Sequence, residues 1–155
     1  MKSDLVVILQ DVAVLSAALL AGGQIFVLFV VLRTARAIST LDSLHLHQAM
    51  LSTDYPDAYI QPAGILMFAL GAVLLAVEHR TTANVVLTVI PMVAILCIIV
   101  LTRLTNRPIN RLLGTWTDAD VDRYPPVRRR WDRSHAVRTL CGTSALVSFV
   151  ILANH

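Results

Sequence analysis

The sequence predicts an all-α fold, a four-transmembrane-helix bundle with two cytoplasmic loops, and three observations lead there. Asp, Glu, Lys and Arg are absent from residues 12–32, 58–77, 81–102 and 139–155, runs of 21, 20, 22 and 17 residues. A helix needs roughly 20 apolar residues to cross a hydrocarbon core of about 30 Å. Composition is 56% hydrophobic and only 15% charged, with a mean hydropathy of +0.69, which excludes an ordinary soluble domain. Finally, nine of the 13 basic residues lie between Arg103 and Arg138. With Arg33 and Arg36 they face Lys2 and Arg80 alone on the other side, so the positive-inside rule makes both longer loops cytoplasmic and both termini external. The chain is a single membrane domain, residues 1–155, with spans at about 6–32, 61–77, 82–104 and 136–154, and the plasma (inner) membrane is its expected location.

In the first span, Lys2 and the small residues Ala17, Ala18 and Ala21 imitate a signal peptide. The apolar run continues through Phe29 and Val30, too long for an h-region, and Asp11 interrupts its start. The span is therefore retained. Gln24, beside Gly22 and Gly23, is expected to face the bundle, because a polar group in lipid must find a partner. Asp11 either sits at the outer headgroups near Glu78 or Arg80, or faces inward and handles protons.

The first cytoplasmic loop carries His45, His47, Gln48, Asp54 and Asp57. On a helix His45 and His47 point about 200° apart and cannot share an ion. His47 and Asp54, with His135 from the other loop, could make a two-His-one-carboxylate metal set; no cofactor motif is present, and solvated loop residues are the alternative. Tyr55, Tyr59 and Trp116 read as interfacial anchors or as an aromatic lid over a lipophilic substrate.

Small residues suit close helix approach: Ala21, Gly22 and Gly23 in the first span, Gly64, Ala69, Gly71 and Ala72 in the second, Gly142, Ser144 and Ser148 in the fourth. Pro91 is expected to kink the third span and free a carbonyl. Cys97 and Cys141 fall in spans without a CxxC or Cys/His pattern, implying neither disulfide nor metal.

After Pro125 and Pro126 no helix breaker occurs until Gly142, so the fourth helix is expected to begin there, before the membrane. Arg128, Trp131, His135, Arg138 and Thr139 recur at spacings of three and four and share a face. Arg129, Arg130 and Arg133 form the opposite, solvated face.

These residues resemble a known family. Pro108, Asn110 and Leu112 after the third span, then Arg128, Trp131, His135, Arg138 and Thr139 entering the fourth, look like the motif of the anthrone oxygenase-like family of small four-helix membrane proteins. The resemblance extends weakly through Ala21-Gly22, the Gln48 region and Pro62. It implies an enzyme that inserts oxygen into a reduced polyketide ring without an obvious cofactor. His135 would then be the base, with Arg138 and Asn110 stabilising the oxyanion. Trp131 would stack on the flat ring, and Gln48, Gln24, Thr139 and Arg128 would help to bind it.

A structural role for the same residues stands beside this: His135 and Asn110 could tie the third span to the fourth, and Arg138 could snorkel to phosphate. A non-oxidative cyclase or isomerase, or a non-catalytic subunit or carrier, remain open. The expected partners are the lipid bilayer, a lipophilic small molecule and, as one option, a second copy of the chain. The net charge of +3 is accounted for by topology and lipid contact, and no nucleic-acid motif is present.

Overall fold

A computed structural model of the chain describes residues 4–51, 61–77 and 81–154. Among these, every element is helical: α1 (Asp4–Ala37), α2 (Thr40–Leu51), α3 (Gln61–Val77), α4 (Thr82–Leu113) and α5 (Tyr124–Asn154), with a 3-10 turn at Asp118–Arg123 ahead of α5. Three helical stretches are long and apolar enough to cross a membrane: α1, α4, and α5 with its preceding turn. The apolar part of α3, Pro62–Val77, is shorter.

Pairings between helices fix the topology. Gln10 on α1 donates to the Leu152 carbonyl and Gln24 meets His135, so α1 and α5 run antiparallel. Asn106 on α4 meets Ser134 on α5, and Gly64 and Gly71 on α3 face Ile95 and Met92 on α4. With α3 also packed along α1, each helix has two antiparallel neighbours, the up-down-up-down bundle.

The outward faces are apolar, as lipid requires: Leu15, Leu19, Phe26, Phe29, Leu66, Leu104, Leu140 and Val147 are exposed. Gln10, Ser16, Gln24, Thr88 and Ser148 point inward instead. Three of these buried hydroxyls donate back one turn, Ser16 to the Val12 carbonyl (2.8 Å), Thr88 to Asn84 (2.8 Å) and Ser148 to Ser144 (2.9 Å), which satisfies them inside an apolar medium. Asp11 is exposed on the outer face of α1, so the inward-facing proton-handling acid is ruled out; Glu78 and Arg80 lie outside the described residues.

The small residues divide. A Cβ on Gly142 would collide with Gln24 Oε1 and lie 3.7 Å from the Ala21 Cα, and one on Gly71 would sit 2.9 Å from Met92 Cγ. These two glycines set close approaches of α5 to α1 and of α3 to α4. Gly22 faces open space, and Ala69 and Ala72 are exposed, so these three do not serve the packing expected of them.

Two of the three long helices loosen at the same end of the bundle. In α1 a π turn at Val27–Val31 has the Leu32 amide bonded to the Val27 carbonyl; in α4 a π turn at Thr102–Asn106 has Arg107 bonded to Thr102. Such turns insert a residue, rotate the rest of the helix about its axis and recur at functional sites. By contrast α4 continues as helix through the buried Pro91. Helix α5 starts at Tyr124, three residues before Val127, because Pro125 and Pro126 occupy the first turn, where no backbone N–H is needed.

Two apolar cores result. One, around Leu20, Met67, Ile95 and Phe149, fills the middle of the bundle. The other, around Leu32, Leu44, Ile109, Leu113, Trp116, Tyr124 and Trp131, sits at the end closed by α2.

Candidate active site

Between the two cores lies a layer of buried polar side chains. Gln24, Asn106, Ser134, His135, Arg138 and Thr139 are each at most 6% exposed. Four of them belong to one face of α5, where the three-and-four spacing seen in the sequence turns them toward α1 and α4.

His135 Nε2 bonds the Gln24 carbonyl at 3.0 Å. Thr139 Oγ1 donates to the His135 carbonyl at 3.0 Å and lies 3.5 Å from that of Gln24. On the α4 side the Asn106 amide donates to the Leu101 carbonyl (3.2 Å) and to Ser134 Oγ (2.8 Å), and its oxygen accepts from the Trp131 indole N–H (3.2 Å). The same N–H reaches Asn110 Oδ1 at 3.0 Å. Asn110 thus ties α5 to the third span as expected, whereas His135 ties it to the first span instead. Arg138 does not snorkel: it is 4% exposed.

Trp131 separates this layer from the space under α2. His135 stacks on its indole, ring centroids 5.1 Å apart and planes 1° from parallel. His47 meets it edge-on, at 4.9 Å and 69°.

That space is a cavity of about 500 Å³. Its walls are Phe26, Val27, Val30, Val31 and Thr34 from the π turn of α1 and its flanks, Leu46, His47, Ala49, Met50 and Leu51 from α2, and Asn110 and Trp131. The surface is overwhelmingly apolar, with His47 and Asn110 as convergent polar groups, the composition of a small-molecule site. Neither His135 nor Arg138 lines it.

His47 is 3% exposed, and its Nε2 has no hydrogen-bond partner among the described residues. Burial first, and then the Arg128 guanidinium, push its pKa down to about 4, with Asn110 and Asp132 acting in the opposite direction. Its Nδ1 lies 3.4 Å from the Tyr124 hydroxyl. That hydroxyl accepts from Arg128 Nη1 (2.6 Å), donates to the Ser43 carbonyl (3.0 Å) and touches Ser43 Oγ (3.3 Å). Arg128 Nε bonds Asp132 Oδ1 at 2.6 Å, and Asp132 Oδ2 is reached by Arg36 at 3.1 Å.

Other residues singled out from the sequence have different work. Gln48 Nε2 donates to the Leu113 and Trp116 carbonyls (2.9 and 3.0 Å), closing the C-terminal end of α4, where carbonyls lack helical partners; it does not line the cavity. Trp116 is 8% exposed and packed in the second core under Arg123, so it is no interfacial anchor. His45 points outward to Asp118 (2.8 Å), on the opposite side of α2 from His47 as the helical angle requires.

Asp54, Asp57, Tyr55 and Tyr59 lie outside the described residues. Among the described residues no three His, Cys, Asp or Glu side chains cluster as metal ligands, and His135 and His47 each turn a ring nitrogen elsewhere, to Gln24 and Tyr124. Cys97 and Cys141 are free thiols.

Sequence reasoning missed Tyr124, Ser43, Asn106 and Ser134. Tyr124 precedes Arg128 by one turn and Asn106 precedes Asn110 by one turn, so the spacing that grouped the other residues would have found both.

No curated protein and no solved structure matches the chain. The anthrone oxygenase family model matches residues 49–148, a stretch that holds Asn110, Tyr124, Arg128, Trp131, His135, Arg138 and Thr139 and begins just after His47 and Gln48. Spanning well over half of the sequence, the match shows that the chain belongs to the anthrone oxygenase family.

Proposed function

We propose that the chain is a four-span, membrane-embedded oxygenase that takes a lipophilic aromatic substrate of anthrone type into the cavity under α2. The observation that carries this is an apolar cavity of about 500 Å³ whose wall combines Asn110, Trp131 and a buried histidine, in a member of this family. An anthrone is a carbon acid, and one histidine suffices to take a methylene proton. The enolate left behind is electron-rich; a carbon–oxygen bond forms with dioxygen, and the hydroperoxide takes the proton back. Loss of the second methylene proton then breaks the O–O bond. Anthrone and dioxygen give anthraquinone and water.

In this scheme the Trp131 ring offers a flat face to the substrate. Asn110 Oδ1 is taken by the indole, so the amide NH2 is what it offers to the developing oxyanion. Arg138, His135, Thr139 and Gln24 form the polar layer behind Trp131 that holds it in place. The basic α2 end faces the cytoplasm, with both termini outside and α3 as the fourth, shorter span, which is supported by the outward Ile65, Leu66, Val73 and Val77.

The test is oxygen uptake by the purified protein in detergent with an anthrone, beside Trp131→Ala and a metal-stripped sample. Uptake matched one-to-one by quinone, lost in Trp131→Ala and kept after stripping, is the expected result. Substrate turnover without oxygen consumption would replace the oxygenase by a cyclase or isomerase, and no turnover by an accessory subunit.

A further inference from the structure

We propose that His47 is the proton acceptor of the cavity and that Tyr124 positions it by fixing its tautomer. The inference rests on the oxygenase reading for the substrate alone; the geometry behind it is independent of that reading.

The Tyr124 hydroxyl has one proton and two lone pairs. Its proton is committed to the Ser43 carbonyl at 3.0 Å, and one lone pair is filled by Arg128 Nη1 at 2.6 Å. A guanidinium donating into the oxygen strengthens the donation outward to the carbonyl. The remaining lone pair faces Ser43 Oγ at 3.3 Å and His47 Nδ1 at 3.4 Å, and toward the histidine the oxygen can only accept. The neutral imidazole therefore carries its proton on Nδ1, and the buried Nε2 lone pair is left without a partner among the described residues, in a side chain that lines the cavity. This is the state a base needs before substrate arrives.

His135 is differently placed. Its Nε2 is engaged by the Gln24 carbonyl, which can only accept, so that nitrogen carries the proton. The indole of Trp131 stands on it, and it is not part of the cavity wall. Each of the two buried histidines has one ring nitrogen without a partner among the described residues, but only His47 belongs to the wall of the space a substrate would fill.

Burial that disfavours the imidazolium in the empty site does not disable the base. The enolate formed beside it supplies the opposite charge that the empty site lacks, and an adjacent anion favours the protonated form. The site therefore suits a neutral, flat, lipophilic carbon acid or phenol, since a carboxylate would find no cation on the cavity wall.

Two measurements test this. In micelles, ring-nitrogen NMR of protein labelled at histidine reads the tautomer directly: His47 is expected with Nδ1 protonated and Nε2 bare, and Tyr124→Phe is expected to raise the Nε2–H population. A wild-type His47 protonated at Nε2 overturns the proposal without any variant having to fold. Separately, exchange of anthrone methylene protons with deuterated solvent is followed under argon, where no oxidation occurs. Exchange by the wild type that falls about 100-fold or more in His47→Gln, and less in Tyr124→Phe, supports the assignment.

Exchange that survives in His47→Gln but dies in His135→Ala overturns it, as does oxygen uptake that is indifferent to His47. If His47-dependent exchange is found but admitting air produces no quinone, the base assignment stands and the oxygenase reading falls.

Discussion

The imidazole of His135 lies parallel to the indole of Trp131, 5.1 Å from it between ring centroids, while His47 meets the same indole edge-on at 4.9 Å. One tryptophan thus spaces two buried histidines and separates the cavity from the polar layer. Its N–H is held by Asn110 Oδ1 at 3.0 Å, with Asn106 as a second acceptor. Trp131→Phe keeps an aromatic ring and removes the donor, leaving buried amide oxygens unpaired. The predicted cost is about 1–3 kcal/mol, read as a lowered thermal midpoint in detergent. A midpoint equal to wild type would show that the indole bonds contribute nothing net.

His135→Ala is predicted to act chiefly on stability. The Gln24 carbonyl loses the nearer of its two partners on α5 and Trp131 loses the ring on which it stacks, an expected loss of about 2–4 kcal/mol. The turnover of correctly folded molecules should fall less than in His47→Gln. Comparing activity per mole of monodisperse protein for the two variants decides it; an equal or larger loss in His135→Ala would return the base to His135.

The pH dependence of stability should carry the signature of His47. Its folded pKa is pushed down to about 4 from the ordinary 6.5, so below pH 6.5 the unfolded chain binds a proton that the folded chain refuses. The contribution of the neutral, buried ring is complete above pH 6.5 and is lost as pH falls toward 4, by about 1.4 kcal/mol per pH unit. Arg128, Asp132, Tyr124 and Asn110 are the groups facing it, and Arg128 reinforces the depression. Melting midpoints of wild type and His47→Gln should converge as pH drops from 6.5 to 4, because only the wild type has this histidine to protonate. Parallel curves would contradict a neutral His47.

Whether a feature could be read from the sequence depended on how far apart its determinants lie. Span lengths and the basic asymmetry reflect bilayer thickness and charge, properties of single stretches, so the bundle was legible. The shared face of Trp131, His135 and Arg138 reflects the helical period and was legible too. The cavity was not: its wall joins α1, α2 and the ends of α4 and α5, and two π turns, at Val27–Val31 and Thr102–Asn106, rotate side chains out of the register that a uniform period assumes. His47 looked like a solvated loop residue because nothing local to α2 announces that Tyr124, 77 positions away, will cover it. Gln48 looked like a substrate contact because its two carbonyl acceptors, Leu113 and Trp116, come from the end of α4 and the turn after it.

The charges on Asp132 are predicted to be unequal in worth. Arg36, with 68% of its side chain exposed, forms a solvent-screened pair, and Arg36→Ala should cost about 0–1 kcal/mol and less still at high salt. Arg128 and Asp132 are only 12% and 13% exposed. Asp132→Asn leaves that guanidinium without its carboxylate, and a loss of about 3 kcal/mol is expected. Thermal midpoints at low and high salt separate the two, and a salt-sensitive loss in Asp132→Asn would show that this pair too is solvent-screened.

The closest test of the packing is a pair of alanines. At Gly142 a Cβ would collide with Gln24 Oε1 and lie in contact with the Ala21 Cα, so the buried Gln24 amide must turn aside within a packed layer. Gly142→Ala is predicted to destabilise by about 1–3 kcal/mol and to disturb the His135 ring-nitrogen signals. At Gly22, with nothing within 4 Å of the added atom, alanine removes only helix-opposing chain entropy and should stabilise by about 0.5–1 kcal/mol. Opposite shifts in thermal midpoint are therefore expected from two identical substitutions on facing helices. A Gly142→Ala protein as stable as wild type would mean that the Gln24 amide, whose oxygen and nitrogen have no partner among the described residues, turns aside without cost.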